Sequence, residues 1–127
     1  MDDRRQVRVL ESGPSCPTLP MVEGGGTARA VVWPGVGAEL RSMMRIRLDP
    51  SARTVELRHP MEAVYYVMAG SGSAVEPGAG ARQPLIEGSM VHVEPGTRYL
   101  FAAGPRGLEI LGGPCPVDPE IFERIGT

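Results

Sequence analysis

Two stretches decide the fold of this chain: RTVELRHPMEAVYYVMAGSG at residues 53–72, and GSMVHVEPGTRY at residues 88–99. The first contains a β-prone run, a proline break, a nearly continuous apolar run and a pair of glycines. The second alternates apolar and polar residues and ends in a Pro-Gly turn. Both patterns predict short strands that are separated by turns, with a turn expected at residues 70–72.

The neighbouring segments extend this pattern. Residues 40–48 alternate with a period of two, as a half-buried strand does, and further strands are expected at 27–33, 54–59, 98–102 and 107–111. The segment 76–82 carries no periodic signal and is interpreted as a loop.

The face on which His59 lies follows from this alternation. Within the strand expected at 54–59, Val55, Leu57 and His59 share one side. His59 is therefore predicted to point into the apolar interior.

The chain end predicts one short helix, with Asp118 as its N-cap and Pro119 in its first position. The 17 glycines and 13 prolines suit many strands joined by turns. We therefore predict an all-β fold, an antiparallel barrel or jelly roll with a short C-terminal helix. Residues 1–26 are interpreted as an N-terminal arm or edge strand and loop, and residues 27–127 as a single barrel domain.

At this point the sequence resembles the cupin superfamily, whose first motif is Gly-x5-His-x-His-x3 or x4-Glu-x6-Gly. His59 and Gly70 match that motif in register. Ser51, Leu57 and Ala63 stand in place of its first glycine, its first histidine and its glutamate.

The second cupin motif, Gly-x5-Pro-x-Gly-x2-His-x3-Asn, is matched by Gly88 and Gly96. Glu94, Tyr99 and Ala103 replace its proline, its histidine and its asparagine.

The resemblance covers roughly residues 43–113 and implies a small, single-domain cupin barrel (a double-stranded β-helix) with a degenerate metal-binding motif. Cupins usually hold a divalent metal with three histidines and a glutamate, of which His59 alone remains in register. The resemblance also implies a homodimer, since cupins commonly pair through sheet faces or edge strands.

Composition limits the partners. The net charge of -2 without a basic run gives no nucleic-acid or membrane footprint. All 13 basic residues are arginine, which excludes chemistry through a lysine Schiff base. No apolar run is long enough for a bilayer span or a signal peptide, so we expect a cytoplasmic protein. The arginine, alanine, glycine and proline bias suggests a bacterial source with a GC-rich genome.

Three side chains are candidates for catalysis. His59 can act as an acid, a base or a ligand on the inner wall of a barrel. Tyr99 occupies the slot of the last metal-binding histidine and can donate a hydrogen bond to a developing oxyanion. Glu62 lies one residue before the family's glutamate position, which favours a solvent-facing side chain unless Pro60 marks a bulge that turns it inward.

The remaining site prediction is an apolar and aromatic cavity lining for a mostly hydrophobic ligand. Alternatively, the same residues fill the barrel and leave no pocket. Trp33 is expected at the mouth or as a cap on the core. The proposed lining residues are Met44, Ile46, Leu57, Tyr65, Val67, Val91 and Phe101.

Stand-alone cupins with such a degenerate motif look similar to cyclases, isomerases and lyases of bacterial secondary metabolism. The resemblance therefore implies a metal-independent enzyme of that kind, acting on a mostly apolar small molecule. A divergent metal-dependent cupin, possibly a dioxygenase with a divalent metal on His59 and Glu62, is the second hypothesis. A non-catalytic ligand-binding module is the third.

Overall fold

The computed structural model describes residues 6–123, and their strands form one antiparallel sheet that bends into a nearly closed barrel. The all-β antiparallel barrel predicted from the sequence is confirmed. The eight strands are β1 (Val22–Glu23), β2 (Gly26–Val32), β3 (Met43–Leu48), β4 (Arg53–Thr54), β5 (Glu62–Glu76), β6 (Ala81–Ile86), β7 (Met90–Val93) and β8 (Leu100–Cys115).

Two long strands hold the barrel together. β5 has 15 residues and β8 has 16, and they pair from Glu62 opposite Cys115 to Val75 opposite Leu100. β8 also pairs with β3 and β4, while β5 pairs with β6 and β7. Every other strand is therefore attached, directly or through one neighbour, to the β5–β8 ladder.

The prediction of a turn at residues 70–72 is wrong, because β5 continues through these residues to Glu76. The pairing register with β8 shifts between Gly70 and Gly72, and Gly70 has φ 82°. A Cβ on Gly70 would lie 2.2 Å from the carbonyl oxygen of Gly107. These glycines thus allow a bulge and a close backbone approach in a bent strand, and the chain turns only at residues 77–80.

Other strand predictions need correction. β6 (Ala81–Ile86) was not predicted, and its first two residues lie in the segment interpreted as a loop. The two strands expected at 98–102 and 107–111 are one strand, β8. The strand expected at 54–59 is reduced to β4 and a single bridge between Leu57 and Tyr99. Residues 6–10 form no strand, and the rest of the edge strand considered at the N-terminus lies outside the described residues.

The two helical elements within residues 6–123 are short 3-10 turns, Pro34–Val36 and Pro119–Phe122. The second replaces the expected helix, and its predicted N-cap is confirmed because Asp118 Oδ1 accepts a hydrogen bond from the Glu120 amide at 3.1 Å. In the described part of the chain no helix has the length and apolar character needed to cross a lipid bilayer.

Most of the core lies between β2, β3, β8 and the first half of β5, and Leu85 of β6 and Val93 of β7 extend it towards the other half of the barrel. Leu19 and Met21, which belong to the segment interpreted as an N-terminal arm, also pack into it. The largest apolar and aromatic side chains with almost no exposed surface are Tyr65, Phe101, Met44, Ile46, Leu48, Ile110 and Val67.

Candidate functional site

The other half of the barrel contains a cavity of about 580 Å³ between β6, β7, the second half of β5 and Tyr99. Leu85 and Val93 line its buried part, whereas Glu76, Gln83 and Glu94 lie in its exposed part. The volume lies within the range of pockets that bind small organic molecules.

A chain of four buried polar side chains reaches this cavity. Asp118 Oδ2 lies 2.7 Å from His59 Nδ1, and His59 Nε2 lies 2.8 Å from the Tyr99 hydroxyl. The Tyr99 hydroxyl lies 2.7 Å from that of Tyr65. All four residues are at least 95 % buried. Of the four, Tyr99 lines the cavity.

Local backbone pairing brings His59 and Tyr99 together. The amide of Leu57 donates to the carbonyl of Tyr99 at 2.7 Å, and the reverse bond is 2.9 Å long. The carbonyl of His59 accepts from the amide of Gly96 at 2.7 Å, in the Pro-Gly turn that follows β7. This short ladder holds the two side chains in fixed positions.

Asp118 arrives from a distant part of the sequence. The 3-10 turn that it caps is held against the barrel by Phe122, whose ring centroid lies 5.6 Å from that of Trp33. Asp118 is 4 % exposed, and its two carboxylate oxygens accept from different groups, the His59 ring and the Glu120 amide. The carboxylate is thus fixed in place beside the imidazole.

Burial raises the pKa of the Tyr99 hydroxyl far above its ordinary value, and the neighbouring Tyr65 and Asp118 raise it further. Burial also raises the pKa of Tyr65, although its hydrogen bond with Tyr99 works in the opposite direction. Both phenols are therefore protonated at neutral pH.

The structure does not bring Glu62, the third catalytic candidate, to His59. Glu62 Oε1 lies 2.6 Å from His92 Nε2, and both side chains are about half exposed. Pro60 does not turn Glu62 inward, because Glu62 is the exposed first residue of β5 and Ala63 is the buried one. Both ring nitrogens of His59 already have other partners.

The proposed lining residues occupy two different environments. Val91 lines the cavity, but Met44, Ile46, Tyr65, Val67 and Phe101 have no exposed surface and belong to the packed core.

Leu57, at 8 % exposure, also belongs to the core. Trp33 packs on Phe122 at the C-terminal turn and does not line the cavity at Tyr99.

Sequence reasoning missed two contributors to the site. Asp118 was expected only as a helix cap, because its contact with His59 spans 59 residues of sequence. The cavity wall formed by Gln83 and Leu85 was missed together with β6. An aspartate placed before a proline near the chain end predicts a cap but gives no indication of a distant partner.

The residues present do not fit the cupin metal centre. Leu57, Ala63 and Tyr99 occupy three of the four ligand positions, and none has an imidazole or carboxylate to offer. Within residues 6–123 no group of three or more histidine, cysteine, aspartate or glutamate side chains could hold a metal ion. The divalent metal considered for His59 and Glu62 lacks a donor set in this arrangement.

No family model matches the chain, and no curated protein matches it. Solved structures do match. A cupin-like protein from Thermotoga maritima is 23 % identical over 87 % of this chain and 83 % of its own, with a TM-score of 0.71. A protein described as a predicted oxalate decarboxylase, from the same organism, is 18 % identical over 87 % and 100 %, with a TM-score of 0.70.

The polyketide cyclase RemF from Streptomyces resistomycificus is 21 % identical over 87 % of this chain and 79 % of its own, with a TM-score of 0.64. These likenesses establish the architecture. The protein has the cupin fold, as the two motifs indicated, and it carries a degenerate form of the motif that holds the metal.

Proposed function

We propose that this protein is a metal-independent acid–base enzyme that acts on a small organic molecule in the barrel cavity. The observation that supports the proposal is the buried Asp118–His59–Tyr99 chain, whose last member lines the cavity. Cyclisation, isomerisation and elimination without redox change all require proton transfer, which positioned groups of this kind accelerate by roughly 10² to 10⁴.

Each residue has a distinct role in this proposal. Tyr99 touches the substrate and exchanges a proton with it. His59 is the proton reservoir behind Tyr99, and Asp118 holds the imidazole in one orientation and stabilises its charged form. The same arrangement of a carboxylate behind an imidazole behind a hydroxyl recurs in enzymes of unrelated folds.

The cavity lining exposes more polar than apolar surface, so it supports a substrate that carries several polar groups around an apolar part. Leu85, Val91 and Val93 offer apolar contacts, and Gln83 and Glu94 offer hydrogen-bond partners. A cyclase among the similar structures supports an aromatic or polyketide-like substrate and a place in bacterial secondary metabolism. The cytoplasmic location remains a prediction.

A homodimer through the outer face of the sheet is part of the same proposal. Tyr66 and Met90 lie opposite each other on β5 and β7 and are 44 % and 65 % exposed. Exposed apolar residues on a sheet face favour an interface. Sedimentation equilibrium of the wild type and of Tyr66→Glu tests this without changing a residue that lines the cavity, and a monomeric wild type is the contrary result.

The test of function is a turnover screen against aromatic β-polyketone substrates with three variants. His59→Ala and Tyr99→Phe should each lower kcat by about 10² or more. The matched control is Tyr66→Phe, because Tyr66 is 44 % exposed on β5 and is not among the residues that line the cavity. Equal activity in all variants would remove the proposal, and binding without turnover would favour a ligand-binding module.

Elemental analysis of untagged protein tests independence from metal. The metal content of the wild type and of His59→Ala should be equal and far below one atom per chain. A stoichiometric metal that is lost in His59→Ala would instead support the divergent metalloenzyme.

A further inference from the structure

The direction of the hydrogen bonds in the buried chain follows from counting protons. If the imidazole carries a single proton, then three protons are shared among Tyr65, Tyr99, His59 and the Asp118 carboxylate, because both phenols are protonated. A carboxylate only accepts, so the imidazole proton lies on Nδ1, facing Asp118 at 2.7 Å. His59 Nε2 is then an acceptor, and the Tyr99 hydroxyl must donate to it over 2.8 Å.

Tyr65 completes the row of hydrogen bonds, because its hydroxyl donates to the oxygen of Tyr99 at 2.7 Å. All three protons have acceptors in this arrangement. In the opposite direction, with His59 donating from Nε2, Tyr99 would donate to Tyr65. The Tyr65 proton would then have no acceptor among residues 6–123, in a side chain with no exposed surface. A buried donor without an acceptor costs free energy, so the direction towards Asp118 is preferred.

The Tyr99 hydroxyl therefore donates a hydrogen bond to His59 and accepts one from Tyr65. One lone pair of its oxygen remains without a partner. We propose, as an extension of the function proposed above, that Tyr99 presents this lone pair to the cavity. The site would then take ligands that donate a proton, an uncharged enol, phenol or carbon acid next to a carbonyl. The sequence predicts that Tyr99 donates a hydrogen bond to the ligand. The geometry instead assigns Tyr99 the role of acceptor towards the ligand, because its proton is already donated to His59.

The corresponding step moves one proton. The X–H bond of the ligand breaks and its proton forms the new O–H bond of Tyr99, while the original Tyr99 proton moves to His59 Nε2. The products are the ligand anion X⁻ and an imidazolium beside the Asp118 carboxylate, so that no electrons are gained or lost. Because burial and Asp118 raise the pKa of Tyr99, the phenol does not hold the negative charge, and the transferred proton is stored on His59.

The same geometry disfavours an anionic ligand. A carboxylate has no proton to donate at neutral pH, and it would face the Tyr99 lone pair with the Asp118 charge behind it. A dicarboxylate such as oxalate is therefore a poor match for this cavity.

The first experiment measures the His59 tautomer by nitrogen NMR of the imidazole at neutral pH, with His92→Gln used to assign the two rings. We expect a proton on Nδ1 and none on Nε2. A proton on Nε2, or an imidazolium, would overturn the proposal. This outcome is independent of turnover, so an inactive protein with the expected tautomer would reject the proposed function and leave the hydrogen-bond direction intact.

The second experiment compares 2-naphthol with 2-methoxynaphthalene, which has the same ring but no donor. The wild type should bind the naphthol about tenfold more tightly, and Tyr99→Phe should lose this preference. Tyr66→Phe, on the outer face, should keep it. Equal binding of both ligands by the wild type, binding of neither, a preference that survives in Tyr99→Phe, or tighter binding of 2-naphthoate would each contradict the assignment.

Discussion

The two halves of the barrel share one pair of long strands but differ in the size of their inward side chains. In the packed half, β3 contributes Met44 and Ile46, both without exposed surface. In the open half, the small side chains of Ala74 and Ala81 line a cavity of about 580 Å³. Phe101 lies directly opposite Ala74 in the β5–β8 ladder, where the two environments meet. The difference shows that this fold can form its core on one side and keep room for a ligand on the other.

The largest expected effect is a difference in the free energy of unfolding between a variant in the packed half and a variant in the open half. Phe101→Ala should lower the free energy of unfolding by about 3–5 kcal/mol, because it leaves a void among fully buried side chains. Val91→Ala, at the wall of the cavity, should cost about 1 kcal/mol, since that residue already borders open space. Urea denaturation of the two variants measures both values. Equal losses would show that the cavity half is packed as tightly as the core.

A second prediction concerns the two tyrosines at the boundary between the halves. Their folded-state pKa values are raised, so above pH 10 the unfolded chain releases protons that the folded chain keeps. Stability should be unaffected by these groups below pH 10 and should fall above it, by up to about 1.4 kcal/mol per pH unit for each buried tyrosine.

Urea denaturation between pH 9 and 11.5, compared with Tyr65→Phe, measures this slope. The variant should lose stability less steeply with pH, because one of the two tyrosines is gone. Lysines, which titrate in the same range, are absent from the sequence and do not obscure the comparison. Parallel slopes in the two proteins would mean that Tyr65 is not shielded from solvent.

The smallest expected effect distinguishes the exposed carboxylate–histidine pair from the buried one. Glu62→Gln should change the free energy of unfolding by about 0–1 kcal/mol, and less at high salt, because the Glu62–His92 pair is half exposed. Asp118→Asn keeps an oxygen for the Glu120 amide but removes the negative charge beside His59. The resulting loss in the free energy of unfolding should be clearly larger than for Glu62→Gln. Similar costs for both variants would show that burial adds nothing to the His59 contact.

Much of the fold could be predicted from local pattern. Alternation along residues 40–48 and 88–94 identified β3 and β7, and the odd-position face of 54–59 correctly placed His59 inside with Leu57. Gly70 was interpreted as the start of a turn, whereas it lies inside β5. A glycine pair breaks a strand in one context and permits a bulge in another, and the partner strand that decides between them is distant in sequence.

The site itself was less predictable. The residues expected to line a cavity do face inward, but inward direction does not distinguish a filled barrel from an open one. That difference depends on the summed volume of side chains from strands that meet only after folding. Asp118 was recognised as a cap from its neighbours Pro119 and Glu120, whereas its contact with His59 depends on how the chain end crosses the barrel.

The position of Asp118 after the last strand has a consequence for biosynthesis. Chains emerge from the ribosome N-terminus first, so every strand of the barrel is synthesised before the segment that carries this carboxylate. Asp118 follows Cys115, the last residue of β8, by three residues, so the central strand of the barrel and the carboxylate that faces His59 leave the ribosome almost together. The lone tryptophan, Trp33, stacks on Phe122 in that same late segment, so its fluorescence would report the moment when the final piece docks.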